Sequence, residues 1–95
     1  MATYVLLSKL TEEGAETITK NPDRIREVNQ EIAKLGVKVR EQYALLGSYD
    51  FINIVEAPDN ATIARVSALL GSRGSIQITT LAAVPLDEFI ASLKQ

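Results

Sequence analysis

Four β-rich runs and two amphipathic helical stretches follow one another as β-α-β-β-α-β. That order predicts an α+β fold, a four-stranded antiparallel sheet with both helices on one face. Three observations carry the prediction: the first run is apolar at both parities, the middle two runs are joined by a Gly-Ser turn, and each helical stretch opens with its own start signal. The 95 residues make one domain, 1–95.

Residues 3–9 (TYVLLSK) read as a first strand, whose two apolar faces both require cover. Residues 10–21 (LTEEGAETITKN) read as a long polar connection with Gly14 as a flexible point. Asn21-Pro22-Asp23 then opens a helix: Asn21 as cap, Pro22 at the first helical position, Asp23 at the positive end. Ile25, Val28, Ile32 and Leu35 form its apolar stripe, and Gly36 ends it. Residues 37–46 (VKVREQYALL) alternate at first, as a strand with unlike faces does. Gly47-Ser48 suits a two-residue turn into a third strand, residues 49–57. Pro58-Asp59-Asn60 starts a second helix with Asp59 as its cap and Ile63, Val66 and Leu70 as its stripe. Residues 75–84 (SIQITTLAAV) form the fourth strand. After Pro85 comes a short amphipathic helix carrying Phe89, Ile90 and Leu93. The whole is the ferredoxin-like split βαβ arrangement plus a short C-terminal helix.

The composition excludes several functions. Neither cysteine nor histidine occurs, which removes disulfides, thiol nucleophiles and the commonest zinc and haem ligands. No cofactor and no metal site is expected; Asp50, Glu56 and Asp59 do not follow a calcium-loop spacing. The net charge of −2 and the lack of a Lys/Arg stripe argue against nucleic acid. No apolar run is long enough to cross a membrane, and MATYVLLSKL reads as a strand rather than a leader. The expectation is a cytoplasmic protein.

Counting outward from a tight Gly47-Ser48 turn sets a register. It pairs Leu46 with Tyr49, Ala44 with Phe51, Gln42 with Asn53 and Arg40 with Val55. By that register Val37, Val39, Ile52 and Ile54 face the helices. The opposite face then holds Tyr49, Phe51, Asn53, Val55, Gln42 and Arg40, joined by parity with Tyr4, Leu6, Ser8, Gln77, Thr79 and Leu81. Such a face is too apolar to stay wet. A second copy laid sheet to sheet would cover it, giving a dimeric α/β barrel.

The run Tyr43-Ala44-Leu45-Leu46-Gly47-Ser48-Tyr49-Asp50, followed by Val55-Glu56-Ala57-Pro58-Asp59, resembles the GYD domain family of small bacterial and archaeal proteins, named for its Gly-x-Tyr-Asp turn. Thr11, Gly14, Pro22-Asp23-Arg24, Gly36, Gly74 and Thr80-Leu81 agree in order, so the resemblance covers nearly the whole chain. It implies a ferredoxin-like fold of the dimeric α/β-barrel type and little about activity. Where relatives often carry basic and hydroxyl residues on the last strand, this chain has Gln77, Ile78 and Ala82, which removes the basis for an anion site there.

Asn53 is an amide in a strand that is otherwise apolar. It either bonds Gln42 across the strands or serves as a ligand handle in an apolar pocket. Asp50 is expected to accept backbone N–H groups of the turn. Glu56 is expected to pair with Arg24 or Arg65. The candidate ligand-binding set is Tyr4, Ser8, Tyr49, Phe51, Asn53 and Gln77, between two sheets. The leading functional reading is a small-molecule-binding or regulatory homo-oligomer. One alternative is a cofactor-independent oxygenase- or isomerase-like enzyme using Tyr, Asn or acidic groups of the same pocket. The other is an interaction module that forms larger assemblies and binds a partner protein.

Overall fold

A computed structural model describes residues 1–95. The elements run β1 (Ala2–Leu10), α1 (Glu12–Lys20), α2 (Arg24–Lys34), β2 (Lys38–Ala44), β3 (Phe51–Ala57), α3 (Asn60–Gly71), β4 (Ile76–Ala83) and α4 (Leu86–Leu93). The sheet order is β2-β3-β1-β4, antiparallel at every pairing. This is the α+β ferredoxin-like arrangement, with β1 and β3 central.

The first connection is a helix, not the open polar segment that its composition suggests. Thr11 caps α1 by accepting the Gly14 N–H at 3.1 Å. Glu12 and Glu13 sit in the first turn and Lys20 in the last, as the helix dipole favours. Gly14 is not a flexible point. It is buried, and a Cβ there would stand 2.0 Å from the Ser75 carbonyl oxygen. Glycine is required because α1 presses its backbone against the segment entering β4. Thr11 completes that junction: its N–H donates to Ser75 O at 3.0 Å and its hydroxyl to Gly74 O at 2.7 Å.

Asn21 closes α1 rather than opening α2, whose first turn starts beyond Pro22-Asp23 without a side-chain cap. The end of α2 is a Schellman motif: Val37 N–H reaches Ile32 O, Gly36 N–H reaches Ala33 O, and Gly36 takes a φ of 98°. Helix α3 opens on Asp59, which accepts the Thr62 N–H at 2.9 Å. Its stripe of Ile63, Val66 and Leu70 is buried.

The core lies between the sheet and the helices. Tyr4, Leu6 and Val55 of the central strands meet Ile32, Val37, Ile63, Val66 and Leu70 there. This reverses the expected facing of the sheet. Val37 and Val39 do lie on the helix side, but Val39 stands opposite Val55, not beside Ile54. The reason is a β-bulge between Val39 and Glu41. The extra residue, Arg40, shifts the alternation of β2 by one, so the residues before it, Lys38 and Val39, fall on the faces opposite to those counted from the turn. The expected pairs Gln42–Asn53 and Ala44–Phe51 hold, whereas Arg40–Val55 does not.

The outer face therefore carries Val5, Leu7, Ile52, Ile54 and Leu81, which stand opposite one another across β1, β3 and β4. Gln77 and Thr79 share this face with them, while Tyr4, Leu6 and Ser8 do not. No helix of this chain covers it.

Two stability outcomes follow from these contacts. Gly14→Ala should lower unfolding free energy in urea by about 1–3 kcal/mol, the usual cost of overpacking; an unchanged midpoint would mean that α1 does not pack on Ser75. The Thr62 N–H and hydroxyl hold the Asp59 carboxyl below the ordinary aspartate range. Because its folded pKa is depressed, its contribution is present at neutral pH and is lost as pH falls below about 4. Thermal melts of wild type and Asp59→Ala should thus differ at pH 7 and draw together as the pH is taken below about 4, while Asp59→Asn keeps the cap.

Candidate functional site

The candidate residues fall into four places. Tyr4 is buried on the helix side, where its hydroxyl donates to Asn60 Oδ1 at the start of α3. Gln77 lies on the outer face, paired with Lys9. Tyr49 sits in the β2–β3 connection with the Lys9 ammonium 5.5 Å from its ring centre. A cation over an aromatic face is a modest surface contact. Ser8, Phe51 and Asn53 come together, but under the helices rather than between two sheets.

These three line a cleft of about 130 Å³ between the sheet and helices α1, α2 and α3. Its walls are mostly aliphatic, with Leu6, Ile25, Val28, Ile32 and Ile78 among them. Its polar groups are few and uncharged on the sheet side. The sequence singles out Asn53 as a candidate. It does not single out Asn29, which α2 brings to the same place. The expected bond between Gln42 and Asn53 does not form, because Gln42 has a better partner. Asn29 Nδ2 donates to Gln42 Oε1 at 2.7 Å, and Gln42 Nε2 reaches back to Asn29 Oδ1 at 3.4 Å. Asn53 Oδ1 is left buried with no hydrogen-bond partner.

Arginines stand at the rim. Arg73, two residues beyond α3, grips Glu31 of α2 through a two-pronged contact of 2.6 and 2.7 Å. The fork ties the two helices across the opening. It holds the Glu31 carboxyl below its usual range and raises the Arg73 guanidinium above its own. Arg24 makes only a 3.4 Å contact with Glu27.

Asp50 clamps strands rather than the turn itself. Its carboxylate accepts the Leu10 N–H at 2.7 Å, and its own N–H donates to Ser8 O at 2.8 Å. The Gly-Ser segment is correspondingly wider than a two-residue turn: the closing bond runs from Leu45 N–H to Asp50 O. Glu56 pairs with Arg40 at 2.7 Å, not with Arg24 or Arg65, because the bulge places Arg40 beside it.

No helix is long and apolar enough to cross a membrane, and no three acidic side chains converge as a metal site would require. The C-terminal helix is the second unusual feature. All of its side chains are exposed, including Leu86 and Leu93 at 69% and Phe89 at 49%. With Ile90 these occupy positions i, i+3, i+4 and i+7, one continuous stripe.

Comparison with known proteins adds three findings. The family model described as GYD domain matches residues 4–93. A protein of Thermus thermophilus, named "Glutamine synthetase and cystathionine beta-lyase binding protein", is 56% identical over 95 residues, spanning 99% of this chain and 100% of that relative. The crystal structure of TTHA0845, also from Thermus thermophilus, superposes with a TM-score of 0.57 at 24% identity, over 90% of this chain and 95% of that one. That last likeness is one of fold.

An unpaired buried acceptor costs about 1–3 kcal/mol. Asn53→Leu should therefore leave the isolated protein folded and at least as stable as wild type in urea. A marked loss would show that Asn53 is needed by the fold itself.

Proposed function

The chain belongs to the GYD domain family, and we propose that it works as a homo-oligomeric regulatory module that docks on metabolic enzymes, glutamine synthetase and cystathionine β-lyase among them. The observation that carries this reading is the 56% identity, over the full length of both chains, to a relative named for binding those two enzymes.

Two surfaces support it. The outer face of the sheet presents Val5, Leu7, Ile52, Ile54 and Leu81 without a covering layer. Each large apolar side chain contributes about 1.5–3 kcal/mol when fully buried. A second copy laid against this face would bury it symmetrically. Helix α4 is the other surface. An isolated helix of 8 residues is well below the roughly 12–15 at which helices become even marginal in water. No side chain of its apolar stripe is buried in its own chain. A short helix of this kind gains its stability by laying the stripe on a partner, which we take to be the enzyme.

The test uses purified chain and purified glutamine synthetase and cystathionine β-lyase from the same organism. Light scattering should give more than one chain per particle at micromolar concentration. Immobilised chain should bind at least one of the enzymes saturably. Phe89→Asp should keep the oligomer mass and weaken enzyme binding at least tenfold. A monomer in solution overturns the oligomeric part, and failure to bind either enzyme overturns the docking part.

A further inference from the structure

The cleft under the helices has no role in that docking, yet it has the makings of a binding site. We infer that it takes a neutral, ring-sized organic molecule with an apolar body and one O–H or N–H donor, the donor meeting Asn53 Oδ1. This goes beyond the enzyme-docking reading and does not depend on it.

Four observations point to that class. The first is the orphaned acceptor. Asn53 Oδ1 is buried and unpartnered, although the Gln42 amide stands directly across the strand pair. Gln42 does not turn to it because Asn29 holds both ends of the Gln42 amide. The arrangement keeps an acceptor open at some cost in stability. The second is size. The cleft offers about 130 Å³, close to the roughly 150 Å³ engineered apolar cavity that takes up benzene. The third is lining. Aliphatic walls from Leu6, Ile25, Val28, Ile32 and Ile78 suit an apolar body, and the few polar groups fix orientation, as in ligand sites generally. Ser8, 5% exposed, lies one diagonal step from Asn53 and brings a hydroxyl to the same wall. The fourth is charge. The sheet side of the cleft has no ionic group, and an ion buried there unpaired would be heavily penalised. Of the two arginines that line the cleft, Arg73 is engaged by Glu31 and Arg24 reaches Glu27 at 3.4 Å. A neutral donor is what the floor can satisfy.

A site built around an unpaired acceptor discriminates strongly against an analogue without the donor. Phenol and toluene are a matched pair of probes, alike in size and differing in the O–H. Titrated into the isotope-labelled full chain, phenol should shift the backbone amide signals of Ser8, Asn29, Phe51 and Asn53, and should bind at least tenfold more tightly than toluene. In Asn53→Leu the preference should reverse. The spectrum of that variant also shows whether it has folded. If it has not, the phenol-to-toluene ratio on wild type decides alone. Equal affinity for the two probes, shifts confined to the outer face, or no shift up to the solubility limit would overturn the assignment. None of these results bears on enzyme docking, which is read from a separate binding experiment.

Discussion

The central strands β1 and β3 are apolar on both sides, and this chain supplies helices for only one of them. Everything else in the molecule answers to that imbalance. On the helix side, Tyr4, Leu6, Val55 and Ala57 are covered by α2 and α3, and the fold's own stability comes from there. On the other side, Val5, Leu7, Ile52 and Ile54 remain at the surface of an open sheet. Interaction surfaces are commonly built from contiguous apolar area of this kind, and no helix of the chain covers it.

The bulge at Arg40 decides which side chains of β2 share a face with those of β3. Without it, Val39 would share a face with Ile52 and Ile54 and not with Asn53. With it, Val39 stands opposite Val55 and shares the helix side with Asn53. The same bulge brings Arg40 to Glu56, whose ion pair sits at the sheet edge. Asn53, expected at a subunit interface, lies instead in the interior of a single subunit. It is there that the amide finds Asn29 and Gln42 already paired with each other.

Two parts of the chain do not serve the core. The cleft keeps a buried acceptor open, and α4 keeps an apolar stripe in solvent. Natural sequences tolerate such local inconsistencies chiefly where something other than stability is being served. The relative from Thermus thermophilus is named for binding two enzymes, and the exposed stripe is the feature here that most resembles a protein-docking element.

Reading residue by residue was enough to place the four strands and helices α2, α3 and α4 in order, the cap at Asp59 and the stop at Gly36, the stripes of α2 and α3, the family, and the shortage of cover on one sheet face. These depend on local chemistry: dihedral freedom, capping oxygens and apolar spacing are written into short stretches of chain. Packing in three dimensions was needed to show that residues 12–20 are helical, that Gly14 is there for a close backbone approach, and which face of the sheet is inside. Polar composition hid α1, because a helix with a narrow buried edge looks like a loop until its packing partner at Ser75 is known. The facing was undecidable from alternation because both faces of β1 and β3 are apolar. The parity of β2 was broken by a bulge that carries no signature of its own. The location of Asn53, and with it the candidate site, therefore had to wait for the pairing of strands in space.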